Sequence, residues 1–240
     1  MKKIGIIGGL SAASSLIYYE KLCRLTQEIL GGLHAPDIIL RSLNFAPIAH
    51  LMHENEWEQI GGILHHEAFQ LQQSRCDFLI LASNTMHKME TLMMNNIHIP
   101  LLHIAQATAE ALKQEGFQKP AFLATKFTMA ETFYTDKLRE YNVQPIIPTT
   151  AQQEVINSII FDELCQNIIT KQSQDILLSI IQALHMRGAD SVILGCTELC
   201  LSVNDNNCNL AVFDTTDIHC RAAIKMMLST DQSQQLKSSS

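Results

Sequence analysis

The chain has 240 residues, of which 47% are apolar and 17% charged. That length makes one large domain or two small ones, able to bury a core without disulfide or metal staples, and the composition excludes a disordered chain. Seventeen basic residues against 24 acidic ones give a net charge of −7. This excludes the basic face that a nucleic-acid partner or an anionic membrane would select.

Taken in chain order, Lys3–Ile7 reads as a first β-strand. Its apolar run is too short for a signal peptide and ends in Gly8-Gly9 without a cleavage site. Further strands are expected at Asp37–Leu43, Phe78–Ala82, Leu101–Ile104, Ala121–Ala124, Gln144–Ile147, Ser191–Leu194 and Ala211–Phe213. Helical periodicity lies between them, for example at Trp57–Ser74, Thr108–Gln114 and Ser173–Arg187. Such alternation implies βαβ units and parallel sheet. No apolar run reaches the roughly 18 residues of a membrane span. The seven cysteines form no regular framework, which reads as reduced thiols of a cytoplasmic protein. The Ser- and Gln-rich stretch 229–240 reads as a disordered tail.

The chain repeats itself. Lys3-Ile4-Gly5-Ile6-Ile7 aligns with Lys119-Pro120-Ala121-Phe122-Leu123, 116 residues on, and the same offset brings Tyr18 onto Tyr134 and Lys21 onto Lys137. Asp77-Phe78-Leu79-Ile80-Leu81 aligns with Asp190-Ser191-Val192-Ile193-Leu194, 113 residues on. Two matches in one order at nearly one offset predict two similar α/β lobes, each a mainly parallel sheet flanked by helices, with a boundary near Pro100. Ligands of parallel sheets bind outside the carboxyl ends of strands. Ser83-Asn84-Thr85 and Cys196-Thr197-Glu198 are therefore the two strand-end loops to watch, expected to face one cleft from opposite sides.

At these residues the sequence resembles the aspartate/glutamate racemase family. The segments concerned are Gly8-Gly9-Leu10-Ser11, Asn44-Phe45-Ala46-Pro47-Ile48, Ser83-Asn84-Thr85-Met86-His87, Leu102-His103-Ile104-Ala105, Gly195-Cys196-Thr197-Glu198 and Phe213-Asp214-Thr215-Thr216-Asp217-Ile218-His219. The resemblance covers about residues 1–228. It implies two pseudosymmetric lobes with the active site in the cleft between them, no cofactor, a homodimer, and proton transfer at an amino-acid α-carbon by one thiol from each lobe. Lobe 1 is then 1–100 with a C-terminal segment of about 213–228, and lobe 2 is 101–212. This chain departs from the pattern at its first thiol slot, which is Ser83. It resembles most the subgroup with a hydroxyl residue there, whose substrates are L-aspartate and L-glutamate. Ala12 and Ala13, Gln106, Ala124 and Lys126 also depart from the family's usual residues.

The roles follow from residue chemistry. Cys196 is the expected acid/base, its pKa lowered by a helix N-terminus after the strand. Ser83 cannot readily become an alkoxide; it caps the following turn, relays a proton or holds a water. His87 is placed to help protonation at the Ser83 face, since imidazole titrates near neutrality. Glu198 orients or stabilises a protonated partner, and the resemblance gives His219 a supporting role beside Cys196. Asn84, Thr85, Thr197, Ser11 and Thr128 are the expected carboxylate cradle. Arg41 and Lys126 are candidates for a distal carboxylate. His50/His53, His65/His66 and Cys196/Cys200 lack the paired spacing of a zinc site, so no metal is expected. Met86, Met89, Met93 and Met94 read as core or dimer surface. Two other readings stay open: a single-thiol decarboxylase of malonate-type substrates, and an inactive dicarboxylate-binding relative.

Overall fold

A computed structural model describes residues 1–229; the expected tail lies, apart from Ser229, outside the described residues. The chain folds as two compact units. The first comprises Met1–Ala82, Met89–Leu102 and the chain from Cys220; the second comprises Ser83–Lys88 and His103–His219.

The first unit contains β1 (Ile4–Gly8), α1 (Ala12–Leu30), β2 (Ile38–Ser42), α2 (Phe45–His53), α3 (Trp57–Gln73), β3 (Phe78–Leu81), α4 (Glu90–Met93) and β4 (Leu101–Leu102). All four strands are parallel, in the order β2-β1-β3-β4. β1 and β3 are buried along their whole length, as the near-continuous apolar runs of central parallel strands require. Ile4, Ile6, Tyr18, Leu22, Phe78 and Ile80 make one core with residues beyond Cys220.

The second unit contains α5 (Ile104–Glu115), β5 (Pro120–Ala124), α6 (Lys126–Ala130), α7 (Phe133–Arg139), α8 (Thr150–Ser158), α9 (Lys171–Met186), β6 (Ser191–Gly195) and β7 (Ala211–Asp214). α10 (Thr215–Leu228) starts in this unit and ends in the first. The three strands are parallel, ordered β5-β6-β7, and Ala121 forms one further parallel bridge to Ile146. That bridge stands where β2 stands in the first unit. The strand expected at Gln144–Ile147 is thus reduced to one bridge, because Pro145 and Pro148 each remove a donor from it. Side chains cap the helix starts: Ser11 accepts from Ser14 N–H, Thr149 and Gln152 form a capping box, and Thr170 accepts from Ser173 N–H.

The sequence repeat has a hydrogen-bond counterpart. Asp77 Oδ2 accepts the Lys3 N–H at 2.5 Å, and the Asp77 N–H donates to the Lys3 carbonyl at 2.9 Å. Asp190 repeats this, accepting from Gln118 and Lys119 N–H at 2.9 Å each and donating to the Lys119 carbonyl at 3.0 Å. Each aspartate fixes where a central strand enters its sheet. Tyr18 and Tyr134, paired by the repeat, are both fully buried.

The structure divides the C-terminal segment differently from the sequence reading. Phe213 pairs in the sheet of the second unit, and the chain joins the first unit only at Cys220, where Cys220, Ala223, Ile224 and Met227 enter its core. The Ser83–Lys88 loop, expected in lobe 1, also groups with the second unit, to which the hydrogen bonds of its side chains run.

Gly9 turns the chain out of β1 at φ +73°, and a Cβ there would collide with the backbone N and O of Leu43. Gly9→Ala is therefore expected to lose more than about 2 kcal/mol. Gly62, exposed inside α3 with open space around its Cα, is the opposite case, and Gly62→Ala should gain about 0.5–1 kcal/mol. Urea denaturation midpoints of the two variants check both signs.

Candidate active site

The strands of the second unit end in side chains able to do chemistry. Thr125, Cys196 and Thr215 directly follow β5, β6 and β7, and the Ser83–Lys88 loop follows β3 with a 3-10 turn at Thr85–Met89.

Three buried hydroxyls meet there. Thr85 Oγ1 lies 3.2 Å from Thr125 Oγ1 and 2.9 Å from Thr128 Oγ1, and the last two are 3.0 Å apart. A closed ring of three hydroxyls donates and accepts internally. When an anion arrives, the hydroxyl protons are free to rotate onto it. Thr85 and Thr128 were expected here. Thr125 was not, because the repeat aligns it with Gly9, which has no side chain to suggest a role.

Asn84 is fixed by a second chain of bonds. Its Nδ2 donates to Thr215 Oγ1 at 3.2 Å, and Thr215 Oγ1 donates to the Leu194 carbonyl at 2.9 Å. Asn84 and Thr215 are buried. Thr215 thereby ties the loop bearing Ser83 to the strand that delivers Cys196. It was visible in the sequence only as part of the C-terminal resemblance.

Cys196 Sγ donates to Glu198 Oε2 at 3.0 Å, and Thr197 Oγ1 donates to the same oxygen at 2.6 Å. Burial pushes the thiol pKa well up, and the Glu198 carboxylate pushes it further in the same direction. This corrects the expectation of a thiolate favoured by a helix N-terminus. β6 runs into a turn and then only the three-residue 3-10 helix Leu199–Leu201, so no aligned helix dipole points at Sγ. The nearest charge is instead a carboxylate. Cys196 rests as a thiol with its proton shared toward Glu198.

His87 is also different from its expected role. Its ring is buried, with Nδ1 2.7 Å from the Ser83 carbonyl and Nε2 3.3 Å from the Ile104 N–H. A carbonyl only accepts, so Nδ1 carries the proton and Nε2 accepts from Ile104. Both nitrogens are spent on backbone. Burial lowers its pKa well below the ordinary value, and His103 and His219 add to this. His87 thus clamps the Ser83 loop to the start of α5 as a neutral ring instead of titrating near neutrality. His103 packs against it at 4.4 Å between ring centres and caps α5 by accepting the Ala105 N–H. Burial, Lys137 and His219 bring the His103 pKa down to about 3. His219 meets the His87 ring edge at 6.1 Å.

Ser83 is half-buried, and its Oγ makes a long 3.4 Å bond from the Met86 N–H. Ser11, of the first unit, is the N-cap of α1. The two cations considered for a distal carboxylate are already paired: Arg41 with Glu67 at 2.5 Å, and Lys126 with Glu154 at 2.5 Å. Among the described residues, no three His, Cys, Asp or Glu side chains converge as a metal site, and no helix is long and apolar enough to cross a membrane.

Parallel α/β units with acid–base side chains at their strand ends place the chain in a known class of isomerases. A family profile for Asp/Glu/hydantoin racemases matches residues 7–223. A Yersinia pestis crystal structure, given only the provisional description of an Asp/Glu racemase, is 37% identical, with a TM-score of 0.90, over 95% of this chain and 100% of that one. A structure of an aspartate racemase homologue from Pyrococcus horikoshii OT3 is 31% identical, with a TM-score of 0.85, over 95% and 100% of the two chains. The broad specificity amino-acid racemase RacX of Bacillus subtilis (strain 168) is 20% identical over 226 residues, which is 94% of this chain and 98% of that protein. The chain belongs to the Asp/Glu/hydantoin racemase family, and it is an isomerase of the racemase type.

Two measurements follow from the electrostatics. His87 and His103 stay neutral in the folded protein, while the unfolded chain protonates them near pH 6.5. Their contribution to stability is therefore present above about pH 6.5 and lost as pH falls toward the folded value of about 3 for His103. The His103 ring should cost about 1.4 kcal/mol per pH unit across that window, and His87 acts in the same direction. Urea unfolding at pH 7.5 and 5.0 should show the drop, and His103→Asn, which keeps an N-cap side chain, should reduce it. The second measurement is alkylation of Cys196 by iodoacetamide at pH 8, read by peptide mass spectrometry. It should be slow in the native protein and faster by roughly tenfold in Glu198→Gln, because removing the carboxylate charge lowers the thiol pKa.

Proposed function

We infer that this protein interconverts the L- and D-forms of an acidic amino acid, aspartate or glutamate, by moving the α-proton without a cofactor. The observation that carries the reading is the Cys196–Glu198 pair at the end of β6, a thiol with a built-in acceptor for its own proton. The relatives provisionally described as an Asp/Glu racemase and as an aspartate racemase homologue support the substrate class.

In this reading the ring of Thr85, Thr125 and Thr128 hydroxyls turns its protons onto the substrate carboxylate and holds the charge that develops there as the C–H bond breaks. Cys196 passes its proton to Glu198, and the thiolate removes the α-proton. A proton returns to the other face from a water through the Ser83 hydroxyl, which gives up one proton as it takes another. The proton on Glu198 goes back to solvent and restores the starting charge. Ser83 never has to exist as an alkoxide, and that face is the slower one. His87 stays out of the proton path and holds the Ser83 carbonyl in place.

One observation favours a second reading. A thiol held protonated is ready to donate to an enediolate, as decarboxylation of a substituted malonate requires.

Proton NMR in deuterium oxide with chiral analysis of the product tests the first reading, with L- and D-aspartate and L- and D-glutamate supplied separately. Exchange of the α-proton with inversion is expected. Cys196→Ala should lower it by at least about a hundredfold. Ser83→Ala should keep exchange and lose inversion, and Ser83→Cys should raise the inversion rate. Absence of exchange with all four substrates, together with carbon dioxide release from a malonate, would replace this reading by the second.

A further inference from the structure

The turn after β3 and the short helix α6 meet twice. Thr85 Oγ1 lies 2.9 Å from Thr128 Oγ1. Lys88, three residues after Thr85, donates from Nζ to Oε1 of Glu131, three residues after Thr128, at 2.7 Å. Side chains three apart in a 3-10 turn eclipse, so Thr85 and Lys88 stand on one side of the turn Thr85–Met89. Residues three apart on an α-helix are neighbours as well, and Glu131 directly follows α6. The hydroxyl contact and the ion pair are thus two rungs between the same two segments, one turn apart. A single rung lets the segments pivot about it; the second fixes their angle.

The second rung matters because α6 has only five residues, too few for a helix to hold its place by its own hydrogen bonds. Its start is bound to α8, where the Lys126 N–H donates to Asn157 Oδ1 at 2.9 Å and Lys126 Nζ pairs with Glu154. Its end is bound to the Ser83 loop by Lys88–Glu131. These two side chains are 22% and 37% exposed, so solvent screens them less than the surface pair Arg139–Asp136, at 46% and 57%. The Ser83 loop is the firmer side, anchored by Asn84 to Thr215 and by His87 to Ile104. Resting on the reading of the threonine ring as a carboxylate cradle, we propose that Lys88 and Glu131 are positioning residues. Their ion pair holds α6 so that Thr125 and Thr128 stay within hydrogen-bonding distance of Thr85, and the three hydroxyls meet the substrate as one set. Misplacing such donors by about 1 Å costs up to roughly a hundredfold in rate.

Two readouts on the whole protein test this, and only one needs turnover. The first is methyl NMR of threonine-labelled protein. In Lys88→Met and in Glu131→Gln the signals of Thr85, Thr125 and Thr128 should all shift. Lys88→Arg, which keeps the charge, should leave them near their native positions, and so should Arg139→Met, which breaks the surface pair. The second readout is α-proton exchange with L-aspartate. Lys88→Met and Glu131→Gln should each lower kcat about tenfold, with a smaller change in KM, because the ring acts most on charge that develops in the transition state. The double variant should be no slower than either single one, and Lys88→Arg should recover most of the rate. Unmoved methyl signals, additive losses in the double variant or no recovery with arginine would overturn the proposal and leave the racemase reading standing. Native protein that exchanges neither enantiomer of aspartate or glutamate would sink the racemase reading, and the methyl signals then decide the tie alone. Should Lys88→Met not fold, Glu131→Gln, which keeps the side-chain size, supplies both readouts.

Discussion

Burial of the central strands on both faces is the constraint on which the rest depends. β1, β3, β5 and β6 have no exposed position, so none of their side chains is available for polar chemistry. Whatever this molecule does with protons has to happen where strands stop. Thr125, Cys196 and Thr215 stand one residue past β5, β6 and β7, and the Ser83 loop leaves the end of β3. A strand end is also where backbone groups lose their ladder partners and need side chains to replace them. The same residues therefore carry structure and chemistry together.

That double duty explains the electrostatics. Polar groups drawn under the surface must find partners or change their charge. The imidazole of His87 gives both nitrogens to backbone and stays neutral. His103 does so while capping a helix. Cys196 keeps its proton and points it at Glu198. The three threonines satisfy one another. Asn84 Oδ1, Ser202 Oγ and Thr216 Oγ1 are buried side-chain oxygens without a partner among the described residues.

The repeat is clearer in the scaffold than in the chemistry. Both units use the same parallel order and the same aspartate clamp where a central strand begins. Their strand-end loops have diverged: Ser83-Asn84-Thr85 carries an amide and hydroxyls, and Cys196-Thr197-Glu198 carries a thiol and a carboxylate. A hydroxyl and a thiol are chemically unequal, since only the thiol has an ordinary pKa within reach of neutral pH.

Periodicity, apolar runs and the offset between Asp77 and Asp190 were enough to read the parallel α/β class, the two units and the strand-end loops, because those features depend on local pattern and on short-range pairing. The motifs around Ser83 and Cys196 pointed to candidate site residues through their strand-end position and the family resemblance they carry. Protonation and orientation were not legible, since they depend on neighbours distant in the chain. Cys196 was expected to be acidified by a helix that turns out to be one 3-10 turn, and a carboxylate two residues on raises its pKa instead. His87 looked titratable until Ile104 and the Ser83 carbonyl took both nitrogens. Thr125 and Thr215 acquired their places only when β5 and β7 delivered them beside Thr85 and Asn84. The sequence by itself determined which side chains stand at the ends of strands. Tertiary structure decided which of them hold a proton and which way an amide faces, because those are properties of contacts up to 131 residues apart.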